Sequence, residues 1–502
     1  MTVKESYDVV DQVLTETDLL GQAVSLINYD LETICPEEAM SRQGELMAYL
    51  ENQAFRKLKD PAFEEASNAL YEGRDALNDY QRALAEDLHR QYLMDKNVTP
   101  ELQHELSRIR NQAYVDWLAA KKASDFSIFA PSLQALKDVL LKRIALQEEA
   151  KPLPYDNLLT IYERDMTAGT LDRIFGTAGD RISSLLKKIL ASKKTIRRDF
   201  LTRPVTDAQQ QEFAEYLLDV MHFDKKRGVL GTTEHPFTDS PWKDDQRITT
   251  NYDPNNFLSS IYSVIHEGGH ALFEQLQPAE NWTYHIKGIK SMGEHESVSR
   301  FYENRIGRSE AFIHLIYPRA KEIFPQVLSD VSERELYEAV NLVEPSLIRT
   351  DADEFTYTLH IIIRYELEKR ILAGEAAIED LPKLWSDLYD RYLGIRPGND
   401  AEGVLQDVHW SGGFGYFPTY ALGNFYNAMY YNTMNGDFSI DEAVRSGDFG
   451  RINGWMKEHV FAKADRLSPA EWILDITDRA LTPDDFLSYL EEKYGALYEL
   501  HL

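Results

Sequence analysis

The chain has 502 residues, 43% of them hydrophobic and 11% aromatic, which is enough for a large core and excludes a disordered or disulfide-stapled scaffold. Its 54 Lys+Arg against 83 Asp+Glu give a formal net charge of −29, a field that repels phosphate backbones and anionic lipid. No basic patch offsets that field, so neither nucleic acid nor a membrane is an expected partner. The single cysteine, Cys35, excludes an internal disulfide and every thiolate metal cage.

The first residues lack the basic-then-apolar pattern of a signal peptide, and no apolar run has the length of a membrane span. The expectation is a soluble, acidic, cytoplasmic protein. Apolar positions at three-to-four spacing predict amphipathic helices over 37–96, 99–122, 131–150, 170–199 and 207–222. Breaks are expected at Pro131, Pro152, Pro154 and Pro204. From Gly228 to Tyr252 the chain is turn-rich with short extended pieces, which predicts a small β element. Helices are predicted again over 254–277, 292–306, 333–344, 354–372, 381–393, 418–432, 449–464 and 484–499. Asp253 is read as a cap with Pro254 in the first turn. The pattern predicts a mainly α fold over residues 1–502 as one body, with two lobes around a cleft.

Eight of the thirteen histidines lie between His235 and His409, and the densest chemistry falls among them. His266, Glu267, Gly268, Gly269 and His270 spell H-E-x-x-H inside a predicted helix. A spacing of four puts both imidazoles on one face, as two ligands of a tetrahedral Zn²⁺ require. Glu267, about 100° around the helix, is placed to reach a water rather than the metal. A third ligand must come from elsewhere. A second helix is predicted to start at Ser291, where Ser291 and Glu294 read as a capping box. Glu296 in its early turns is the candidate, with His295 and Glu294 as rivals. A carboxylate third ligand leaves a position open for water, the arrangement of a catalytic site.

These motifs resemble the carboxypeptidase Taq family, metal-dependent carboxypeptidases whose helical, two-lobed cleft fold is similar to that of neurolysin and angiotensin-converting enzyme. The resemblance runs through Asn28–Thr33 with Pro36 and Arg42, His235–Phe237, Asp245–Thr249, His266–His270, His295–Ser297, Ile348–Asp353 and Gly403–Trp410. One departure is Val298, where glutamine is expected after the Glu-Ser pair; two residues past a ligand, it should point away from the metal.

The resemblance implies His266, His270 and Glu296 as metal ligands, one divalent ion per chain (Zn²⁺, with Co²⁺ also accepted), and Glu267 as general base. It also implies a homodimer, broad specificity, and Arg349 as the reader of the substrate's free carboxylate, a role that suits a planar guanidinium. The alternative for Arg349 is an ion pair with Asp351 or Asp353. Arg247 is the understudy and His235 a cleft residue. His409, Tyr416 and Tyr420 are candidates for stabilising the developing oxyanion, by analogy with the angiotensin-converting-enzyme fold. Asp407 is read as an acceptor for a ligand imidazole, an Arg partner or a cap, and Cys35 as a small hydrophobe.

The sequence therefore predicts a metallocarboxypeptidase that trims single residues from free peptide C-termini. Helices within about residues 1–150 are expected to roof a deep groove, with the metal and catalytic motifs between 235 and 420. The alternatives are an oligopeptidase or dipeptidyl carboxypeptidase on the same fold, or a non-catalytic peptide-binding helical protein.

Overall fold

The computed structural model describes residues 1–286 and 290–501. The chain opens with an arm of four helices: α1 (Val3–Thr33), α2 (Glu37–Leu58), α3 (Pro61–Glu72) and α4 (Asp79–Asp95). Helix α1 was not among the predicted elements, yet it has a local start signal, a capping box between Thr2 and Glu5. The single run expected over 37–96 breaks twice, each time at a cap. Asp60 accepts from the Ala62 amide with Pro61 in the first turn, and Asn78 pairs reciprocally with Gln81.

The arm has a small core of its own around Val10, Phe63, Leu70 and Leu84, whereas the remaining helices share one continuous core running from Leu106 to Tyr498. Two further helices lie outside the predicted elements. Pro154, read as a breaker, is the first residue of the helix Pro154–Tyr162, and the helix Glu310–Ile323 carries Pro318 in its interior. Among the described residues no helix is long and apolar enough to cross a membrane.

The predicted β element is a three-stranded sheet of β1 (Gly228–Thr232), β2 (Thr238–Trp242) and β3 (Asp245–Thr250) in the order β1-β3-β2. β1 runs parallel to β3, and β2 antiparallel to it with a register shift between Asp239 and Trp242. Its strands β2 and β3 pack on the helix Phe257–Leu276, and α1 packs on β2. At that contact Ser25 Oγ donates to Asp239 Oδ1 at 2.6 Å. Tyr29 lies 5.1 Å from the Arg247 guanidinium and meets Phe237 edge-on at 6.1 Å. Three of the sequence motifs thus converge where the arm docks.

Candidate active site

The helix Phe257–Leu276 carries His266, Glu267 and His270 and begins three residues later than the expected Pro254. Asp253 closes a turn instead, its Oδ1 accepting from the Asn255 amide at 2.8 Å. The second helix runs Met292–Arg300 from an N-cap at Ser291, whose Oγ accepts from the Glu294 amide; the reciprocal half of the expected capping box is absent. It continues into a π turn over Phe301–Ile306, a bulge of the kind that recurs at functional sites.

Glycines let this second helix lie close between two neighbours. A Cβ on Gly269 would stand 2.8 Å from Ser299 Cα, and one on Gly423, in the helix Pro418–Asp437, 3.0 Å from Glu296 Cγ. Those approaches press Glu296 against the two histidines.

Ligand atoms of His266, His270 and Glu296 all lie within 4.8 Å of one another. Glu296 Oε2 is 3.8 Å from His266 Nε2 and 3.4 Å from His270 Nε2. The outward nitrogen of each imidazole is already engaged. His266 Nδ1 lies 2.8 Å from Glu303 Oε2, and Glu303 is in turn 3.5 Å from Arg308 Nη2. His270 Nδ1 lies 2.5 Å from His295 Nδ1, and His295 Nε2 lies 3.1 Å from Glu274 Oε1.

If His295 donates from Nε2 to the Glu274 carboxylate, its Nδ1 is the acceptor for His270 Nδ1–H, and the His270 Nε2 lone pair faces Glu296. Both histidines therefore present Nε2 inward, and two imidazole nitrogens with one carboxylate oxygen form a donor set that fits a divalent ion. Of the two rivals for the third place, His295 stands behind a ligand, and Glu294 is buried on the opposite side of its helix turn with neither carboxylate oxygen hydrogen-bonded.

Electrostatics follow from this packing. Burial lowers the His266 pKa, but Glu296 and Glu303 outweigh it and raise it to about 9. Burial dominates at His270 and lowers it to about 3. Glu296 stays well below the carboxylate range because Arg300 and His266 overcome its desolvation. Glu267, 7% exposed, has its pKa raised by burial, with His266 and Thr238 opposing. Thr238 Oγ1, on β2, donates to Glu267 Oε2 at 2.6 Å, which leaves Oε1 without a hydrogen bond from any described residue.

A cavity of about 750 Å³ opens over these groups, lined by His266, Glu267, Glu296, Arg300, Arg349 and Tyr420 among others. Arg349 is 7% exposed. Its partner is neither Asp351 nor Asp353 but Asp407, reached through Nε at 3.0 Å and Nη2 at 2.9 Å, while Nη1 donates to the Tyr357 hydroxyl at 2.9 Å. Asp407 also takes Arg364, with Nε donating to Oδ2 at 2.6 Å. It thus serves arginines, the second of the three roles read for it.

His409 Nε2 is 3.4 Å from the Tyr420 hydroxyl, and burial lowers its pKa to about 4. Tyr416 stacks on His409, with ring centres 5.6 Å apart, and meets Tyr420 edge-on, one layer back from the cavity lining. His235 is exposed, and its neighbour Pro236 reaches the lining instead. Arg247 is held in two hydrogen bonds by Asp245, at the arm contact rather than on the cavity wall.

Four groups escaped the sequence reading: Thr238, Arg300, Glu303 and Glu274. For two of them a signal was available. Arg300 and Glu303 stand four and seven residues after Glu296, the spacing of one helix face. Thr238 and Glu274 are placed only by tertiary contacts.

A helical body holding two imidazoles, a carboxylate and a second, buried carboxylate over one cavity has the centre of a metal-dependent hydrolase. The sequence profile of the carboxypeptidase Taq (M32) metallopeptidases matches residues 9–494, and the chain belongs to that family. It is 37% identical over 500 residues to "Carboxypeptidase 1" of Bacillus subtilis, covering 99% of each chain. It is 35% identical to "Thermostable carboxypeptidase 1" of Thermus thermophilus, over 99% of this chain and 100% of the relative. Among solved structures, the M32 carboxypeptidase from Deinococcus radiodurans superposes with a TM-score of 0.95 at 32% identity, over 99% and 100% of the two chains. The protein is therefore a metallopeptidase, and the family implies a divalent ion, for which the trio fits.

Proposed function

We propose that this protein removes single residues from the free C-termini of peptides, with His266, His270 and Glu296 as the ligands of its ion and Glu267 as general base. The observation that carries the reading is one cavity lined by His266 and Glu296 of the clustered trio, by the buried Glu267 carboxylate with one oxygen free, and by the buried Arg349. These three residues would hold a divalent ion, Zn²⁺ or Co²⁺, which would supply Lewis acidity to polarise the scissile carbonyl and to lower the pKa of water toward about 7. Glu267 Oε1 takes the proton of the attacking water while Thr238 fixes Oε2, and the same carboxyl returns the proton to the leaving amine. Tyr420, in contact with His409, is the donor for the developing oxyanion, and Tyr416 backs the pair. Arg349 binds the terminal carboxylate, its plane set by Asp407 and Tyr357.

His235 and Arg247 stand at the edge of this reading, on the segment where the arm meets the sheet, and contact longer substrates there. The arm roofs one end of the groove and limits entry to peptides, with broad tolerance for the terminal side chain. A homodimer belongs to the reading: α2 buries none of its residues and leaves Met40, Tyr49 and Phe55 between 43% and 61% exposed, an apolar face suited to a second copy. So does a cytoplasmic setting without nucleic-acid or membrane partners, in keeping with the charge of −29. Val298 is fully buried in the core, so the departure from the family motif lies off the cavity wall and does not favour a non-catalytic protein.

A mass-spectrometric time course on an N-terminally blocked peptide of about ten residues, with and without chelator, tests the reading. The expected result is a ladder losing one C-terminal residue at a time, abolished by the chelator. Internal fragments would transfer the assignment to an oligopeptidase, and steps of two residues to a dipeptidyl carboxypeptidase.

A further inference from the structure

Arg300 is 7% exposed and lies one turn after Glu296. Its Nε donates to Glu296 Oε1 at 2.6 Å, and its guanidinium carbon stands 3.9 Å from the centre of the Tyr357 ring. The side chain lines the active-site cavity, and its two terminal nitrogens make no hydrogen bond to any described residue.

The other two arginines on that wall have a partner at every nitrogen, so each keeps only the second N–H of its terminal nitrogens for a ligand. Arg308 is held by Asn304, the Val340 carbonyl and Glu303, over the Tyr262 ring. Arg349 is held by Asp407 and Tyr357. A buried cation with unused donors facing a cavity is unfavourable unless a ligand supplies the acceptors.

The missing partner is defined by shape and distance. Two parallel terminal N–H groups match the two oxygens of a carboxylate. The backbone of a C-terminal residue spans only about 4 Å from the scissile carbonyl carbon to its own carboxyl carbon. A reader for single-residue release must therefore stand close to the group that holds the carbonyl. Arg300 is separated from the ligand oxygen Glu296 Oε2 by no more than the Glu296 carboxylate itself. Arg349 meets the same side chain and lines the same cavity: Tyr357 offers its ring to Arg300, and its hydroxyl accepts from Arg349 Nη1.

We propose that Arg300 is a substrate-binding residue which, together with Arg349, grips the free carboxylate of the substrate's last residue, and that its attachment to Glu296 sets the cut at one residue. This rests on the carboxypeptidase reading above, and the unmutated, metal-loaded enzyme tests that reading first: without a C-terminal ladder the reading fails, whatever Arg300 does.

Given the ladder, N-blocked peptides as free acids and as amides are compared on Arg300→Gln, Arg300→Lys and Arg349→Gln. Arg300→Gln is expected to raise KM for the free acid by about 30-fold or more and to shrink the preference for acid over amide, with Arg300→Lys recovering part of the loss. Metal content, read by chelator competition, should change far less. An unchanged KM with weakened metal binding would overturn the proposal and leave Arg300 as a brace for Glu296.

Should the variants fail to fold, phenylglyoxal labelling of the unmutated enzyme, mapped by mass spectrometry, decides. An N-acetylated amino acid should protect Arg300 and its amide should not. Equal labelling in the presence of either would overturn the proposal.

Discussion

The arm and the body of this protein are both helical, but they are built on opposite principles. Helix α2 exposes some part of every residue and packs mainly on α1, and the arm's core is a handful of side chains. In the body, the helix Tyr357–Leu372 buries residues on every face, among them His360, Arg364 and Glu368. Arg364 is held by Asp407 and Gln406, and Glu368 by Tyr155 and Trp410, so this part of the body is a lattice of mutual constraints while the arm is an amphipathic layer. The clustered His266, His270 and Glu296 and the buried Glu267 sit in the body, where packing on all sides holds the geometry that a metal centre and a general base would need.

The comparison is broken if the body tolerates what the arm tolerates. The largest effect is expected at Glu267. Glu267→Gln should lower kcat by about 10²–10⁴-fold or more while metal content, read by elemental analysis, stays near one ion per chain. Retained turnover would remove Glu267 from the chemistry.

The next effect is a pH dependence. Burial raises the Glu163 carboxyl to about 8 from an ordinary value of 4.5, although Ser291 Oγ and the Gly293 amide donate to it. A raised carboxyl pKa favours the folded state only while the group is protonated. That contribution is complete below about 4.5 and fades as pH rises through about 8. Glu163→Gln should therefore gain on the unmutated protein between pH 5 and pH 9, by up to about 4 kcal/mol, in thermal melts across that range. A constant gap would mean that Glu163 ionises normally.

Gly423→Ala tests the close helix contact behind Glu296. Its Cβ would meet Glu296 Cγ at 3.0 Å and the backbone at 3.1 Å, so about 1–3 kcal/mol of stability and some metal affinity should be lost, as read by melts and chelator titration. The smallest effect belongs to the arm. Tyr49→Glu combined with Phe55→Glu should move the Tm little, within about 0.5 kcal/mol, and leave kcat intact. The same pair should dissociate the dimer in light scattering if α2 is its interface.

The sequence was legible where spacing along one helix is itself the geometry. His266 and His270 share a face because they are four residues apart, and Glu296 joins them as the motif implied. Arg349 lines the cavity, but its ion-pair partner, Asp407, is 58 residues away and no local pattern names it. The helix α1 was missed although its capping box is local, because its apolar positions are interrupted and mostly half-buried. Glu310–Ile323 was not among the predicted elements, and it carries Pro318 in its interior, where proline removes a backbone donor. The single run over 37–96 failed at caps that amphipathic periodicity does not register.

By itself the sequence determined the helical class, the small β element, the shared helix face of His266 and His270, and the acidic charge, since all of these depend on composition or on residues within a turn or two of one another. Only the tertiary structure decided that Thr238 steadies Glu267, that His295 stands behind His270 rather than in the ligand set, and that Arg300 faces the cavity with donors to spare. Those assignments depend on which elements pack together and how closely. That closeness is set by glycines such as Gly269 and Gly423, whose missing side chains acquire meaning only once the facing helix is in place.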